Sequence, residues 1–129
     1  MISISKKIEY SIIFISYLSK RQGEIVSLTS AAEKLVLPYR FLGQIASFLR
    51  SSGIVESKEG KMGGYFLAAD FKNKSLYDLV EALGENKHLV ECLSDKGCKR
   101  LNVCAIASIW NRIEIGMFNE MKKVKLSEI

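Results

Sequence analysis

Residues 27–53 decide the fold, and they read SLTSAAEKLVLPYRFLGQIASFLRSSG. Ser27 is a typical N-cap residue, because its hydroxyl can accept a hydrogen bond from a backbone N–H of the first helical turn. It predicts a short helix over 28–35. Pro38 fits the first position of a second helix, which ends before Gly53, a residue typical of the position after a helix. The stretch therefore predicts two helices joined by a tight turn.

The second helix of this pair has an apolar face and a polar face. The apolar residues recur at i, i+3, i+4 and i+7, which is the spacing of one buried side. They are Leu42, Ile45, Ala46 and Leu49. The opposite face carries Arg40, Gln44 and Ser47, with Tyr39 at the start. Arginine can bind guanine and glutamine can bind adenine in the major groove, although a polar stripe alone is more often a solvated helix face.

The elements on either side of the helix pair favour the DNA-binding interpretation. Residues 5–21 predict a helix that is apolar on several sides, which suggests contact with a second subunit as well as with its own core. Strands over 54–57 and 65–69 enclose a basic, glycine-rich hairpin tip. This order is that of a winged helix-turn-helix, mainly α with a small β-hairpin wing. The candidate DNA-binding residues are Thr29, Tyr39, Arg40, Gln44, Ser47, Lys58, Lys61 and Gly63.

Composition and charge agree with a small DNA-binding protein. The 129 residues are enough for one domain, and 48% hydrophobic with 26% charged residues excludes a disordered chain. The net charge is +5, and residues 1–64 carry nine basic against five acidic side chains. A single histidine and the lack of a phosphate-binding loop argue against an enzyme. No apolar run is long enough to span a membrane, so we expect a soluble cytoplasmic protein.

The second half predicts two further helices around a segment that contains every cysteine. Ser75 is a candidate N-cap for a helix over 76–83. The last helix is predicted over 104–124, and its apolar seam is Ile106, Ile109 or Trp110, Ile113, Met117 and Met121.

The cysteines are clustered as C-x5-C-x5-C. They are Cys92, Cys98 and Cys104. Their odd number argues against a disulfide framework, and their spacing is not that of a zinc knuckle. Thiolates are the natural ligands of iron–sulfur clusters, and Lys96, Lys99 and Arg100 would favour the thiolate form. We therefore favour a metal cofactor, for which an iron–sulfur cluster (2Fe–2S or 4Fe–4S) is the natural thiolate-bound group, over three small hydrophobic residues under a loop.

Three thiolates leave one coordination position open, and two residues are candidates for it. His88 precedes Cys92 by four residues and is either a ligand or an ordinary surface residue. Glu9 lies among Ile8, Tyr10 and other apolar residues, where a carboxylate is costly unless it is paired or ligating. The alternative for Glu9 is an exposed position on the outer face of its helix.

Several motifs together resemble the IscR/NsrR/CymR-type (Rrf2) winged helix-turn-helix transcription regulators of bacteria over nearly the whole chain. The similar pieces are Ser5, Lys7 and Glu9-Tyr10 at the start, LGQIASFLRSSGIVES from Leu42, the wing GKMGGYFLA from Gly60, SLYDLVEALGE from Ser75, the cysteine spacing, Trp110 and the closing KLSEI. The resemblance implies a homodimer on a pseudo-palindromic DNA operator, with the C-terminal helix and part of the first helix in the interface. It also implies a cluster on the three cysteines whose state controls DNA binding, most simply as a repressor.

Two departures from the family pattern refine these expectations. The assembly regulators have a histidine three residues after the third cysteine, where this chain has Ala107. In the nitric-oxide-sensing subgroup an acidic residue of the other subunit completes the site, and Glu9 stands at the similar place. Gly43 replaces a glutamate of the recognition helix, so base preference should differ.

The resemblance also divides the chain by expected role. Residues 1–84 form the DNA-binding domain, 85–103 the cluster-binding loop and 104–129 the dimerisation helix and tail. We expect a sensor of nitric oxide, redox state or iron–sulfur status. The alternative is a cluster-free thiol- or zinc-based regulator of the same fold.

Overall fold

The computed structural model describes residues 3–85, 88–94, 97–100 and 102–129. The helices are α1 (Lys6–Ser19), α2 (Leu28–Leu35), α3 (Tyr39–Ser51), α4 (Leu76–Ala82) and α5 (Ala107–Lys123), and the strands are β1 (Val55–Lys58) and β2 (Gly64–Leu67). Short 3₁₀ helices lie at Ala69–Asn73, Glu91–Leu93 and Leu126–Glu128. The strands form one antiparallel hairpin, and this mainly helical arrangement confirms the predicted winged-helix class. Within the described ranges, no helix is long and apolar enough to cross a membrane.

Serine side chains begin two of the helices, as the sequence predicts. The Ser27 hydroxyl accepts a hydrogen bond from the Ser30 N–H at 3.2 Å, and α2 starts at the next residue, Leu28. The Ser75 hydroxyl accepts from the Asp78 N–H, while the Asp78 carboxylate accepts from the Ser75 N–H at 2.7 Å. That backbone hydrogen bond holds the pKa of Asp78 below its usual range, because it stabilises the ionised carboxylate.

The ends of several predicted elements are displaced in the structure. Pro38 is the N-cap of α3 with an extended backbone, so the helix begins one residue later than predicted. The hairpin strands are also shifted by about one residue, to Val55–Lys58 and Gly64–Leu67. The prediction that α5 begins at Cys104 is wrong by three residues. The Ala107 N–H donates to the Cys104 carbonyl at 3.4 Å, which closes a three-residue turn, whereas the Trp110 N–H donates to the Ile106 carbonyl at 3.0 Å with helical spacing.

The core lies between α1, α3, α4 and the hairpin. The four predicted core residues of α3 are all fully buried, which confirms its apolar face. α1 contributes Phe14, Ile15 and Leu18, and the ring of Phe14 meets that of Tyr65 edge-to-face at 6.3 Å. Burying side chains of this size stabilises a fold by about 1.5–3 kcal/mol each. α3 is therefore held against a well-packed core.

A pair of backbone hydrogen bonds fixes the hairpin to the helix pair. Val26 donates to the Tyr65 carbonyl at 2.9 Å, and Tyr65 donates to the Val26 carbonyl at 2.7 Å. Val26 directly precedes Ser27, the N-cap of α2. Because of this pair, the wing has a defined position relative to α2 and α3.

The C-terminal half of α5 packs on α4, whereas the isoleucines of its predicted apolar seam are exposed. The ring of Phe118 meets that of Tyr77 on α4 at 5.5 Å. By contrast, Ile109 is 47% and Ile113 is 44% exposed in the single chain. The buried side chain within α5 is Glu114, which lies among these exposed isoleucines.

Strain at the turn between α2 and α3 yields a stability prediction. Val36 has φ 56° and ψ 46°, the left-handed region that β-branched residues rarely adopt, and its side chain is 88% exposed. Left-handed backbone costs an L-residue roughly 1–2 kcal/mol, partly offset by about 0.5–1 kcal/mol of extra chain entropy when glycine replaces it. We expect Val36→Gly to raise the free energy of unfolding by about 1 kcal/mol in urea titrations at one protomer concentration.

Val36→Ala is the matched control, because alanine keeps the Cβ that causes the strain. It should change the free energy of unfolding by less than about 0.5 kcal/mol. A Val36→Gly protein less stable than the parent would contradict the strain at this turn.

Candidate nucleic-acid interface and cysteine segment

The polar face of α3 is open to solvent. Arg40, Gln44 and Ser47 are all exposed and follow one another at i, i+4 and i+7 on the side opposite the core residues. The Ser51 hydroxyl donates to the carbonyl oxygen of Ser47 at 3.0 Å. Arg40 and Gln44 thus present long hydrogen-bonding side chains from a rigid helix, as major-groove recognition requires.

Thr29 lies in the first turn of α2, and Tyr39 is the first residue of α3. Both are exposed and line the same surface depression, which Glu33 and Val36 also line. In helix-turn-helix proteins, the first helix of the pair crosses the DNA backbone when the second lies in the major groove. The left-handed backbone of Val36 could not be predicted from the sequence, because valine is not a residue type that favours this conformation.

The tip of the hairpin is basic and exposed. Lys58 and Lys61 are exposed, and Lys58 pairs with Gly64 at the end of the hairpin ladder. Gly63 donates to the Gly60 carbonyl at 3.0 Å, and a Cβ on Gly63 would overlap the carbonyl oxygen of Lys58. Glycine is therefore required at residue 63 by the turn itself, whatever its role toward DNA.

Met62 is a candidate contact that the sequence analysis missed. Its side chain is 87% exposed at the outermost part of the wing, between the basic and glycine residues of the tip. Proteins that enter the minor groove often place apolar side chains there. An apolar residue at the centre of a polar turn is the signal that would have found it.

The three cysteines lie in residues 88–104, which we call the cysteine segment. Its described part contains little regular structure. Cys92 is half-buried in the short helix Glu91–Leu93, Cys98 is exposed and Cys104 is half-buried just before α5. All three thiols are free. The Cys98 sulfur accepts a hydrogen bond from the Arg100 N–H at 3.4 Å. In the part of the chain that is described, no three metal-binding side chains are gathered into one group.

The chemistry of these donors fits an iron–sulfur cluster. Thiols that are free and reach the surface can bind iron without first breaking a disulfide or a buried contact. Lys99 and Arg100 are exposed beside Cys98, where their positive charges would offset the negative charge of a cluster. Lys96 lies outside the described residues.

Glu9 and His88, the two candidates for a fourth ligand, each contact another side chain in the single chain. Glu9 is exposed on α1 and pairs with Lys6 at 2.9 Å, so the single chain places it on the outer helix face. Its hydrogen bond raises the pKa of Lys6. The Nδ1 atom of His88 lies 2.9 Å from Oε1 of Glu114, a residue that the sequence analysis did not single out.

Comparison with known proteins gives consistent matches. The sequence profile of Rrf2, described as an iron-dependent transcriptional regulator, matches residues 4–129. The structure of CymR, the global cysteine regulator of B. subtilis, is 30% identical with a TM-score of 0.74, over 98% of this chain and 94% of CymR. Protein rrf2 of Nitratidesulfovibrio vulgaris is 29% identical over 81% of this chain and 70% of its own length. IscR of Escherichia coli is 25% identical over 81% of this chain and 64% of its own length.

Proposed function

Because this chain belongs to the Rrf2 family of transcriptional regulators, we propose that it is a repressor whose operator binding is controlled by an iron–sulfur cluster. Family membership makes it a DNA-binding regulator and not an enzyme. The sensing part rests on one observation, namely that all three cysteines are free within one segment of the surface. The signal that we propose is nitric oxide, redox state or iron–sulfur status, and the place of action is the bacterial cytoplasm.

The proposed DNA contacts follow from the exposed surface. Arg40, Gln44 and Ser47 bind base edges from α3 in the major groove. Thr29 and Tyr39 position the helix on the DNA backbone. The wing residues Lys58, Lys61 and Gly63 approach phosphates or the minor groove, where a missing side chain permits close contact.

A homodimer would place two copies of this DNA-binding surface on one operator. The isoleucines of α5 supply an apolar face that the single chain leaves exposed, and Ile109 and Ile113 lie one helical turn apart on it. Burying such a face between two copies is favourable by roughly 25 cal/mol per Å². Two readers roughly 34 Å apart would bind half-sites one helical turn apart.

Cys92, Cys98 and Cys104 are the proposed ligands, and Glu9 of the partner subunit is the proposed fourth one. When bound, the cluster supplies a centre whose oxidation state or integrity changes with the signal. The chain's own contribution is to connect residues 85–103 with the helices that support α3. A coupling of about 1–3 kcal/mol between the two sites gives a useful switch.

The second candidate is a thiol- or zinc-based regulator without a cluster. It is favoured by the similarity to CymR, the global cysteine regulator of B. subtilis, over nearly the whole chain. The three free thiols would also serve such a protein.

The two candidates differ in what anaerobically purified protein contains. We expect iron and sulfide at stoichiometric amounts and visible absorbance that Cys98→Ala abolishes. Asn102→Ala, an exposed change in the same segment that leaves the thiols intact, should keep both. Colourless protein with zinc or with no metal would support the thiol- or zinc-based regulator instead.

The same protein tests whether the cluster controls DNA binding. Operators are selected from a pool of randomised duplexes, and their affinity is measured with and without nitric oxide or oxygen. Arg40→Ala and Gln44→Ala should each weaken binding by about 5- to 150-fold at fixed salt. Arg50→Ala removes the same charge from the other end of α3 and should have a smaller effect. Affinity that is identical with and without the cluster would refute the sensing mechanism.

A further inference from the structure

Glu114 is a buried carboxylate in the middle of an otherwise exposed stretch of α5. Its side chain is 5% exposed, whereas Ile113 and Ile115 on either side of it are mostly open to solvent. Burial of a carboxylate is costly unless each oxygen has a partner. This is the reverse of an ordinary amphipathic helix, in which apolar residues are buried and charged residues are exposed. The Glu114 carboxylate must therefore have specific hydrogen-bond partners.

Both carboxylate oxygens of Glu114 contact the cysteine segment. Oε1 lies 2.9 Å from Nδ1 of His88, and Oε2 accepts a hydrogen bond from the Leu89 N–H at 2.9 Å. A carboxylate oxygen accepts a stronger hydrogen bond than a neutral acceptor does. Glu114 therefore fixes both a side chain and the backbone of the segment.

The connection from Leu89 to Cys92 is short and internally bonded. Leu93 donates to the Val90 carbonyl at 3.1 Å, and Ser94 donates to the Glu91 carbonyl at 3.0 Å. These bonds form the 3₁₀ turn that contains Cys92. With the Leu89 N–H bound to α5, this turn holds the backbone of Cys92 close to α5.

One turn further along the same face, α5 packs against α4. Phe118, one turn after Glu114, packs against Tyr77 of α4, and the ammonium group of Lys122 lies 4.7 Å from the centre of the same ring. Glu114 therefore connects the cysteine segment to a helix whose following turns are fixed on α4.

We propose that Glu114 is a positioning residue that holds Cys92 ready for its ligand and joins the cysteine segment to α5. This inference rests on the proposed cluster function. Residues that orient a metal ligand commonly change metal affinity by about 10- to 100-fold when they are removed. Glu114 acts on Cys92 through the backbone of Leu89, to which it is hydrogen-bonded, and not through a direct contact with the thiol.

The first test needs no cluster. In metal-free protein, the rates at which iodoacetamide alkylates Cys92 and Cys98 are measured separately by peptide mass spectrometry. We expect Cys92 to react several-fold more slowly than exposed Cys98, and Glu114→Ala to bring the two rates close together without changing that of Cys98. Glu114→Gln keeps an oxygen acceptor for Leu89 and should give an intermediate rate. Glu120→Gln, the same change at an exposed site of α5, should alter neither rate.

The second test measures iron release from anaerobic protein to a ferrous chelator. Glu114→Ala should accelerate release about tenfold, and Glu120→Gln should not. Unchanged alkylation of Cys92 in folded Glu114→Ala protein would overturn the inference, as would faster alkylation without faster iron release. If Glu114→Ala fails to fold, the rates of Cys92 alkylation and iron release in Glu114→Gln test the inference instead. Parent protein devoid of iron would overturn the cluster function and with it the ligand role, while the alkylation rates would still show whether Glu114 holds Cys92.

Discussion

Gly64→Ala is expected to lower the free energy of unfolding by about 2–5 kcal/mol. A Cβ at residue 64 would overlap the carbonyl oxygen of Val26, with the Ser27 nitrogen only 2.8 Å away. The strand must therefore move away, and the two hydrogen bonds between Val26 and Tyr65 must lengthen or break. Each is worth about 0.5–1.5 kcal/mol, and overpacking costs about 1–3 kcal/mol more. The loss is measured by urea unfolding at fixed protomer concentration.

Gly43→Ala is the matched control for this change. It is the same substitution at a helical glycine, where the new Cβ would meet only the Leu28 Cδ2 at 3.5 Å, an ordinary contact. Alanine is favoured over glycine in a helix by about 0.5–1 kcal/mol, so this variant should be slightly more stable than the parent. Equal stabilities for the two variants would show that the contact between wing and α2 is not tight.

The winged helix-turn-helix was predictable because its signals are local. Ser27 and Ser75 begin helices with bonds that span three residues, and the α3 core face follows from helical spacing. Local bonds and periodic burial depend on few residues, so a single sequence contains enough information to predict them.

The features that sequence reasoning missed depend on contacts between distant residues. The need for glycine at residue 64 arises from Val26, which is 38 positions earlier in the chain. The burial of Glu114 depends on His88 and Leu89, and its neighbours gave only the pattern of an apolar seam. Neither pairing is encoded in the periodicity of one element.

The candidate site also combines features that follow from local spacing with features that depend on distant residues. The exposure of Arg40, Gln44 and Ser47 follows from their position opposite the core residues of one helix, and the structure agrees. The cysteine spacing indicates ligand chemistry, but not which atoms meet. A ligand given by Glu9 of the partner subunit would depend on a second chain, which neither helical spacing nor a single protomer contains.

Leu126→Ala is expected to cost about 2–5 kcal/mol, the usual range for a fully buried leucine. Leu126 is completely buried in the same cluster as Phe71, Leu79 and Leu83, although it lies beyond α5, three positions before Ile129. Its N–H donates to the Lys74 carbonyl at 2.9 Å, and the Val124 carbonyl accepts from the Leu76 N–H at 2.9 Å. The side chain therefore stabilises the packing of α4 and fixes the end of α5 on the core.

Ser127→Ala changes the next, exposed residue and should alter the free energy of unfolding by less than about 0.5 kcal/mol. If Leu126 only filled space, the Leu126→Ala protein would lose stability and keep its hydrogen-exchange pattern at native conditions. Because the leucine also anchors α5, we expect amides of α5 near residues 118–123 to exchange faster in Leu126→Ala, while those of α2 and α3 remain protected. A loss below about 1 kcal/mol would mean that the segment after α5 does not belong to the core.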